Sequence, residues 1–195
     1  MKSSRQSSFR VGHGGFTLVE LMIALAVLAI MVAIATPSFR EISLNNRSSS
    51  NINNLLADLS MARSEAVKVA RTASVAALGG DWNSGWEVFE DTNGNGVRDA
   101  GEELIKTAPS VNVGYEGNPA NLFTLRGVSG ATAGSDAVLA VTFGALGQIR
   151  TPADGARFAL CRPGGDAARS TGIRIDPSGR AQAVKNLSGI GLGCS

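Results

Sequence analysis

A single carboxylate interrupts an apolar stretch near the start of this 195-residue chain. Glu20 is the only ionisable side chain among the twenty residues from Phe16 to Ala35. A helix of that length spans about 30 Å, the hydrocarbon thickness of a bilayer, where a carboxylate costs about 2.5 kcal/mol or more. We therefore expect Glu20 to have a positively charged partner. Cleavage of the chain after Gly15 would supply one, because it would expose the α-amino group of Phe16.

A second group of oxygen-bearing side chains has the spacing of a calcium-binding loop. Positions 1, 3, 5, 9 and 12 of that pattern are occupied by Asp91, Asn93, Asn95, Asp99 and Glu102. Strand-like sequence flanks the loop, whereas calcium loops of this type connect helices. Asn and Gly are also the residues that a tight hairpin turn needs for positive φ angles. Ca²⁺ binding and a metal-free hairpin turn are both compatible with this sequence.

The residues of familiar catalytic sites are missing from the sequence. His13 is the only histidine, and the Gly-x-Ser-x-Gly, P-loop and zinc-ligand patterns are absent. We therefore predict that the protein is not an enzyme. No cofactor other than Ca²⁺ is indicated.

The C-terminal quarter of the chain is basic. Residues 149–195 hold seven basic and three acidic side chains. Among them, Arg174, Arg180 and Lys185 are candidates for contacts with nucleic acid phosphates. No aromatic residue follows Phe158, so stacking on bases is not expected there. A solvated basic surface explains the same charges without a ligand.

Cys161 and Cys194 are the only two cysteines. Lys2, Arg5 and Arg10 precede the apolar stretch without any acidic residue, which predicts a cytoplasmic N-terminus and a body outside the cytoplasm. A disulfide is permitted in that compartment and would link the C-terminal tail to the body. Two free thiols, or a metal ion shared between them, are the alternatives.

These residues must be positioned by a long helix. We predict a transmembrane helix over 16–36 and an amphipathic continuation over 37–71, in which apolar residues recur every three or four positions from Ile52. Pro37 is expected to kink the helix rather than end it, because the helical pattern resumes afterwards. The Asn- and Ser-rich tract around residues 45–54 is a poor helix former and predicts a weak or locally melted segment. Two helices joined by a flexible linker are the alternative.

Strand and turn signals follow the helix. Short apolar runs bounded by Gly, Pro, Asn or Asp predict strands over 73–78, 85–90, 103–107, 122–126, 138–143, 157–162, 171–176 and 180–185. Many short strands after one long helix indicate an α+β fold with a largely antiparallel sheet, here over a globular domain of residues 72–195.

The motif Gly15-Phe16-Thr17-Leu18-Val19-Glu20-Leu21 resembles the processing site of type IV prepilins and type II secretion pseudopilins. This resemblance implies that residues 1–15 form a leader peptide and that the fold is pilin-like. It also implies that a prepilin peptidase cuts between Gly15 and Phe16, followed by N-methylation of Phe16. Glu20 would then pair with the Phe16 amine of a neighbouring subunit. A signal anchor with a coincidental glutamate is the alternative.

Two segments of the body resemble the GspH/FimT family of minor pilins and pseudopilins. One is the Trp-containing run 85–91 with the turn 93–96, and the other combines residues 158–161 with 173–180. The resemblance implies a FimU-like structural subunit of a type IV pilus or a type II secretion pseudopilus. Its partners would be other pilins, and its location the bacterial inner membrane, with a periplasmic body, and then the filament.

Some FimT-like proteins are linked to DNA uptake through a Gly-Arg-x-Arg element. The corresponding residues here are Gly179, Arg180, Ala181 and Gln182, so glutamine replaces the second arginine. Despite this difference, the resemblance implies an alternative function, DNA binding during natural transformation.

The net charge of +2 conceals an uneven distribution. Without residues 1–15 the chain has 15 basic and 16 acidic side chains. Residues 81–105 carry seven acids and one base, in contrast to the basic C-terminal region. We expect this acidic hairpin and basic tail to dock neighbouring subunits or to bind separate ligands.

Overall fold

A computed structural model of the chain describes residues 15–113, 122–130 and 136–194, with only the backbone of Pro37. The chain forms two compact units, Met1–Ser43 and Leu44–Ser195. One helix, α1, runs from Leu18 to Val69 and contributes residues to both units.

In the first unit, α1 begins immediately after Thr17. The Thr17 hydroxyl accepts a hydrogen bond from the Glu20 backbone N–H at 3.2 Å, which satisfies one of the free donors at the helix N-terminus. The large apolar side chains from Leu18 to Ile34 are exposed. By length and composition alone, α1 is long and apolar enough to cross a membrane.

The helix continues through Pro37 and through the Asn- and Ser-rich tract without interruption. Pro37 therefore does not end it, and the expectation of a melted tract is wrong. The tract's polar side chains bond to the body instead of competing with the helix backbone. The Ser48 hydroxyl forms a hydrogen bond with the Thr171 hydroxyl at an oxygen–oxygen distance of 2.8 Å. The Asn51 side-chain amide donates to the Val111 carbonyl oxygen at 2.9 Å. These tertiary hydrogen bonds outweigh the low helix propensity of asparagine and serine.

The helix ends two residues before the predicted limit of 71. Ala70 has a left-handed backbone conformation with φ of 53°, and the Arg71 N–H donates to the Ala66 carbonyl oxygen at 3.1 Å. This is the hydrogen bond that closes a Schellman-type helix end, where glycine is the preferred residue.

Nine strands follow in the described part of the second unit. They are β1 (Ala73–Ala77), β2 (Trp86–Glu90), β3 (Leu104–Ala108), β4 (Thr124–Ser129), β5 (Ala140–Phe143), β6 (Ile149–Thr151), β7 (Ala156–Cys161), β8 (Thr171–Ile175) and β9 (Ala181–Lys185). The eight predicted strands are all present with shifted ends. The prediction missed β6, because three residues are too few to show an alternating pattern.

The strands form two antiparallel sheets. The order is β3-β2-β1-β5-β6 in the first sheet and β4-β7-β8-β9 in the second. One buried stripe of the helix, which includes Leu55 and Leu59, belongs to the same core as Phe143 of the first sheet and Phe158 of the second. The predicted α+β fold, a long N-terminal helix packed on antiparallel strands, is confirmed.

A smaller core lies on the other face of the second sheet. The C-terminal tail, including the short 3-10 helix Leu187–Ile190, packs Leu187 and Ile190 in one cluster with Ala159 and Cys161 of β7. Gly172 makes this packing possible. A Cβ atom there would lie 2.4 Å from the Phe158 carbonyl oxygen and 2.8 Å from Ile190 Cδ1.

Candidate functional site

The residues of the predicted processing site lie at the start of the first unit. Gly15 and Phe16 precede the helix and are exposed, with 81% of Phe16 accessible. Glu20 follows in the first turn, also exposed. An acidic side chain there interacts favourably with the partial positive charge of the helix N-terminus. The peptide bond between Gly15 and Phe16, at which the sequence predicts cleavage, therefore lies in accessible, non-helical chain before the helix.

The loop with the calcium-type spacing connects β2 to β3 and is organised around Asp91, which is fully buried. Its carboxylate accepts hydrogen bonds from the backbone N–H groups of Gly94, Asn95 and Gly96 at 2.7 to 3.1 Å. The Ser74 hydroxyl donates to the same carboxylate at 2.6 Å. Hydrogen bonds to the charged form stabilise a buried carboxylate.

Two further acidic side chains of this loop, Asp99 and Glu102, also accept hydrogen bonds from N–H groups. Glu102 accepts from the backbone N–H of Thr92 at 2.7 Å and of Asp99 at 2.9 Å. Asp99 accepts from the side-chain amides of Asn93 and Asn95. In the described residues no three His, Cys, Asp or Glu side chains gather as a metal site. In this structure the carboxylates of Asp91, Asp99 and Glu102 accept hydrogen bonds from N–H groups within the loop.

Of the three basic candidates, Lys185 lies apart from the other two. Arg174 pairs with Gln182 across β8 and β9, and Lys185 pairs with Thr171. Because side chains alternate along a strand, Arg174 and Lys185 are on opposite faces of the sheet. Arg180 lies at the far end of β9 from Lys185, a separation of about 16 Å for five strand residues. The fold does not bring the three residues together as one phosphate site.

A fourth basic residue, Arg157, was missed because a charged residue inside a predicted strand is normally solvated. It is only 2% exposed and donates to the carbonyl oxygens of Gly130 at 2.6 Å and Ile190 at 2.7 Å. Burial, and then the nearby charge of Arg174, lower the pKa of this guanidinium. Arg157 therefore supports the C-terminal tail from inside the sheet, and nothing in the sequence pattern signals that role.

The two cysteines form a disulfide. Cys161 at the end of β7 is bonded to Cys194 in the tail, with their Cα atoms 5.6 Å apart. This confirms the permitted pairing and leaves no free thiol among the described residues. The bond fastens the tail to the face of the sheet that the tail covers.

A groove of about 510 Å³ lies between α1 and the first sheet in the second unit. At its inner end is Asp58, a fully buried carboxylate on the helix. Its two oxygens accept from the Trp86 indole at 2.9 Å and the Lys106 ammonium at 2.6 Å. The prediction missed Asp58, although its position three residues after Leu55 places it on the buried stripe.

The fold and the N-terminal motif both have counterparts in known proteins. Residues 51–179 match the family described as Type II transport protein GspH. The chain belongs to the GspH family. In addition, residues 11–36 of this GspH-family chain match the prokaryotic N-terminal methylation motif. No curated protein sequence gives a significant match.

Solved structures of similar proteins have the same fold. The type IV minor pilin FimU of Pseudomonas aeruginosa is 27% identical, with a TM-score of 0.56 over 77% of this chain and 96% of FimU. The minor pseudopilin EpsH from the type II secretion system of Vibrio cholerae has a TM-score of 0.51 over 73% of this chain and 96% of EpsH. At 9% identity, the EpsH comparison shows the fold alone.

Proposed function

We propose that this GspH-family chain is a minor pilin or pseudopilin, a structural subunit that is processed in the bacterial inner membrane and assembled into a filament. The observation that carries the proposal is the combination of a methylation motif at residues 11–36 with a GspH body at 51–179 in one chain. The continuous helix from Leu18 to Val69 joins these two parts.

Processing is the first step of the proposed function. A prepilin peptidase cuts the exposed bond between Gly15 and Phe16, and the new Phe16 amine is N-methylated. Residues 1–15 are then removed as a leader. The apolar first part of α1 spans the inner membrane with its N-terminus in the cytoplasm. A periplasmic body agrees with the Cys161–Cys194 disulfide, since such bonds persist in oxidising compartments.

Assembly depends on Glu20. The stretch from Phe16 to Ala35 has no basic side chain to neutralise this carboxylate. In hydrocarbon an ionised side chain requires a partner. The N-methylated amine of Phe16 on a neighbouring processed subunit has the charge and the depth in the membrane to be that partner. The ion pair would set the register between adjacent helices in the filament.

The relation to FimU favours a type IV pilus over a type II secretion pseudopilus. Identity is 27% with FimU but only 9% with EpsH, over similar fractions of the chain. The DNA-uptake alternative receives no comparable support, because Arg174, Arg180 and Lys185 are not brought together as one patch.

Two variants separate processing from assembly. Gly15→Ala should block cleavage, so that intact-mass spectrometry finds residues 1–15 still attached. Glu20→Ala should leave cleavage unchanged but reduce incorporation of the subunit into sheared filaments. Glu20→Asp, which keeps the charge, is the matched control and should retain most incorporation. A cleaved Gly15→Ala protein, or normal incorporation of Glu20→Ala, would contradict the proposal.

A further inference from the structure

Among the described residues no strand pairs with the outer edge of β9, which carries a defined set of backbone groups. Two hydrogen bonds flank its pairing with β8: Asp176 N–H to the Arg180 oxygen at 3.0 Å, and Asn186 N–H to the Ser170 oxygen at 3.1 Å. In an antiparallel pair, successive residues direct their N–H and C=O groups alternately toward and away from the partner strand. The even-numbered residues of β9 therefore exchange backbone hydrogen bonds with β8. Ala181, Ala183 and Lys185 direct their backbone groups away from the sheet.

The other sheet edges carry features that oppose strand addition. The register between β2 and β3 shifts beside Val88, and Pro109 follows β3. Strand β6 has three residues and is followed by Pro152. Strand β4 is bridged by Ala137. Irregular register, short length and proline are the usual protections of an edge.

No irregularity interrupts the pairing of β9 with β8. Its outward-facing residues include two alanines, and Ala183 is exposed. Small side chains leave room for another backbone to approach. Among the usual protections of an edge, β9 has only the lysine at its end, Lys185.

A cleft of about 330 Å³ lies at the Lys185 end of β9. Its lining combines Lys185 and Arg169 with hydroxyl and amide groups from the helix and from β8, and no acidic side chain lines it among the described residues. Arg169 also lies 3.5 Å from Asp166, an ion pair whose side chains are both well exposed. Exposed pairs of this kind contribute little to stability. The positive charges of Lys185 and Arg169 favour an anionic occupant of the cleft.

We propose that the β9 edge receives an extended, acidic segment of a neighbouring filament subunit. The segment adds as a strand through the backbone groups of Ala181, Ala183 and Lys185, and its carboxylates bind Lys185 and Arg169 in the cleft. Main-chain pairing provides the affinity and charge provides the selectivity, as in other cases of strand addition. This inference rests on the proposed role as a filament subunit, which supplies the neighbour.

A synthetic peptide tests the inference without a filament. The probe is a fluorescent peptide of alternating Thr and Val that ends in two glutamates, titrated into the full-length protein in detergent micelles. A matched peptide ends in two lysines. We expect the acidic peptide to bind at least about tenfold more tightly than the basic one, because charge complementarity suppresses the wrong partner. Equal binding of the two peptides would overturn the charge assignment.

Substitutions on β9 provide a second test of the inference. Ala183→Pro removes an outward N–H without breaking the pairing with β8, so it should preserve the circular dichroism spectrum and weaken binding about tenfold. Ala183→Ser keeps the N–H and should bind like the parent. Lys185→Glu should also weaken binding, whereas Arg150→Glu, the same charge change on β6, should not. A folded Ala183→Pro protein that binds normally would overturn strand addition.

A short single-stranded DNA in the same titration distinguishes a phosphate site from a strand site. Binding of DNA that is lost in Lys185→Glu but unaffected by Ala183→Pro would replace the inference with nucleic acid recognition. The filament assay with Glu20→Ala is independent of all these measurements. If Glu20→Ala is not incorporated into filaments, the proposed function stands. If the acidic peptide also fails to bind, the β9 inference is refuted without affecting that function.

Discussion

The Trp86 indole N–H donates a hydrogen bond to the buried carboxylate of Asp58 at 2.9 Å, and this contact joins the helix to the first sheet. Lys106, whose side chain is 41% exposed, binds the other oxygen of Asp58 at 2.6 Å. These two hydrogen bonds connect three elements, because Asp58 lies on α1, Trp86 on β2 and Lys106 on β3. The acidic hairpin is thus attached to the helix by a charged group.

Replacing Asp58 tests this attachment. Asp58→Ala leaves the Trp86 N–H without its acceptor, and we expect it to lower the free energy of unfolding by about 1–3 kcal/mol. Urea unfolding followed by tryptophan fluorescence measures the change. Asn54→Ala, an exposed polar truncation one turn earlier on the helix, is the control and should change stability by less than about 0.5 kcal/mol. If Asp58→Ala and Asn54→Ala changed the free energy of unfolding equally, the hydrogen bonds of the buried carboxylate would contribute nothing specific to stability.

A substitution at the end of the helix is predicted to stabilise the protein. Ala70 has φ of 53°, a left-handed conformation that costs a residue with a Cβ about 1–2 kcal/mol. Ala70→Gly should therefore raise the free energy of unfolding by about 1 kcal/mol. The matched control is Ala57→Gly in the exposed helix interior, which should lower it by about 1 kcal/mol. Destabilisation by both substitutions would contradict the assigned helix end.

The β2–β3 loop is expected to fold without metal. Its carboxylates already bind backbone and side-chain N–H groups, so the melting temperature should be the same in excess CaCl₂ and in EGTA. Asp91→Ala removes a buried acceptor of several hydrogen bonds and should destabilise the protein by about 3 kcal/mol or more. Asp99→Ala, at an exposed position of the loop, should lower the free energy of unfolding much less. A calcium-dependent rise in melting temperature that Asp99→Ala abolishes would establish a metal site instead.

Periodicity predicted the parts of this fold that depend on local sequence. The buried stripe through Leu55 and Leu59 and eight of the nine described strands follow from 3.6- and 2-residue patterns. The continuity of the helix through its Asn-rich tract did not follow, because it depends on bonds such as that between Ser48 and Thr171, residues 123 positions apart.

The candidate sites show the same division between local and distant information. The motif around Gly15 and Glu20 is contiguous, so it could be read directly. The separation of Arg174 from Lys185 depends on strand register, and the burial of Arg157 depends on the tail that covers it. Neither can be obtained from residue type and spacing, because both require knowing which distant segments are in contact.

The C-terminal tail provides the last prediction, since its attachment combines packing with a covalent bond. The Cys161–Cys194 disulfide joins residues 33 positions apart. In the chain-entropy model a loop of that size contributes roughly 3–4 kcal/mol. We expect Cys161→Ser with Cys194→Ser to lower the free energy of unfolding by about this amount, measured by urea unfolding against the oxidised parent. The parent in reducing agent is the control and should match the double variant.

Hydrogen exchange locates the effect of that double variant. If the disulfide acts on the tail, the amides of Leu187–Ile190 and of Ala159 beneath them should lose protection first, while the helix residues around Leu59 exchange only with global unfolding. Gly172→Ala should lower protection in β7 as well as in the tail with the disulfide intact, because its Cβ would lie 2.4 Å from the Phe158 carbonyl oxygen and 2.8 Å from Ile190 Cδ1. Uniform loss of protection across both cores would contradict a separate tail unit and assign the disulfide to the stability of the whole body.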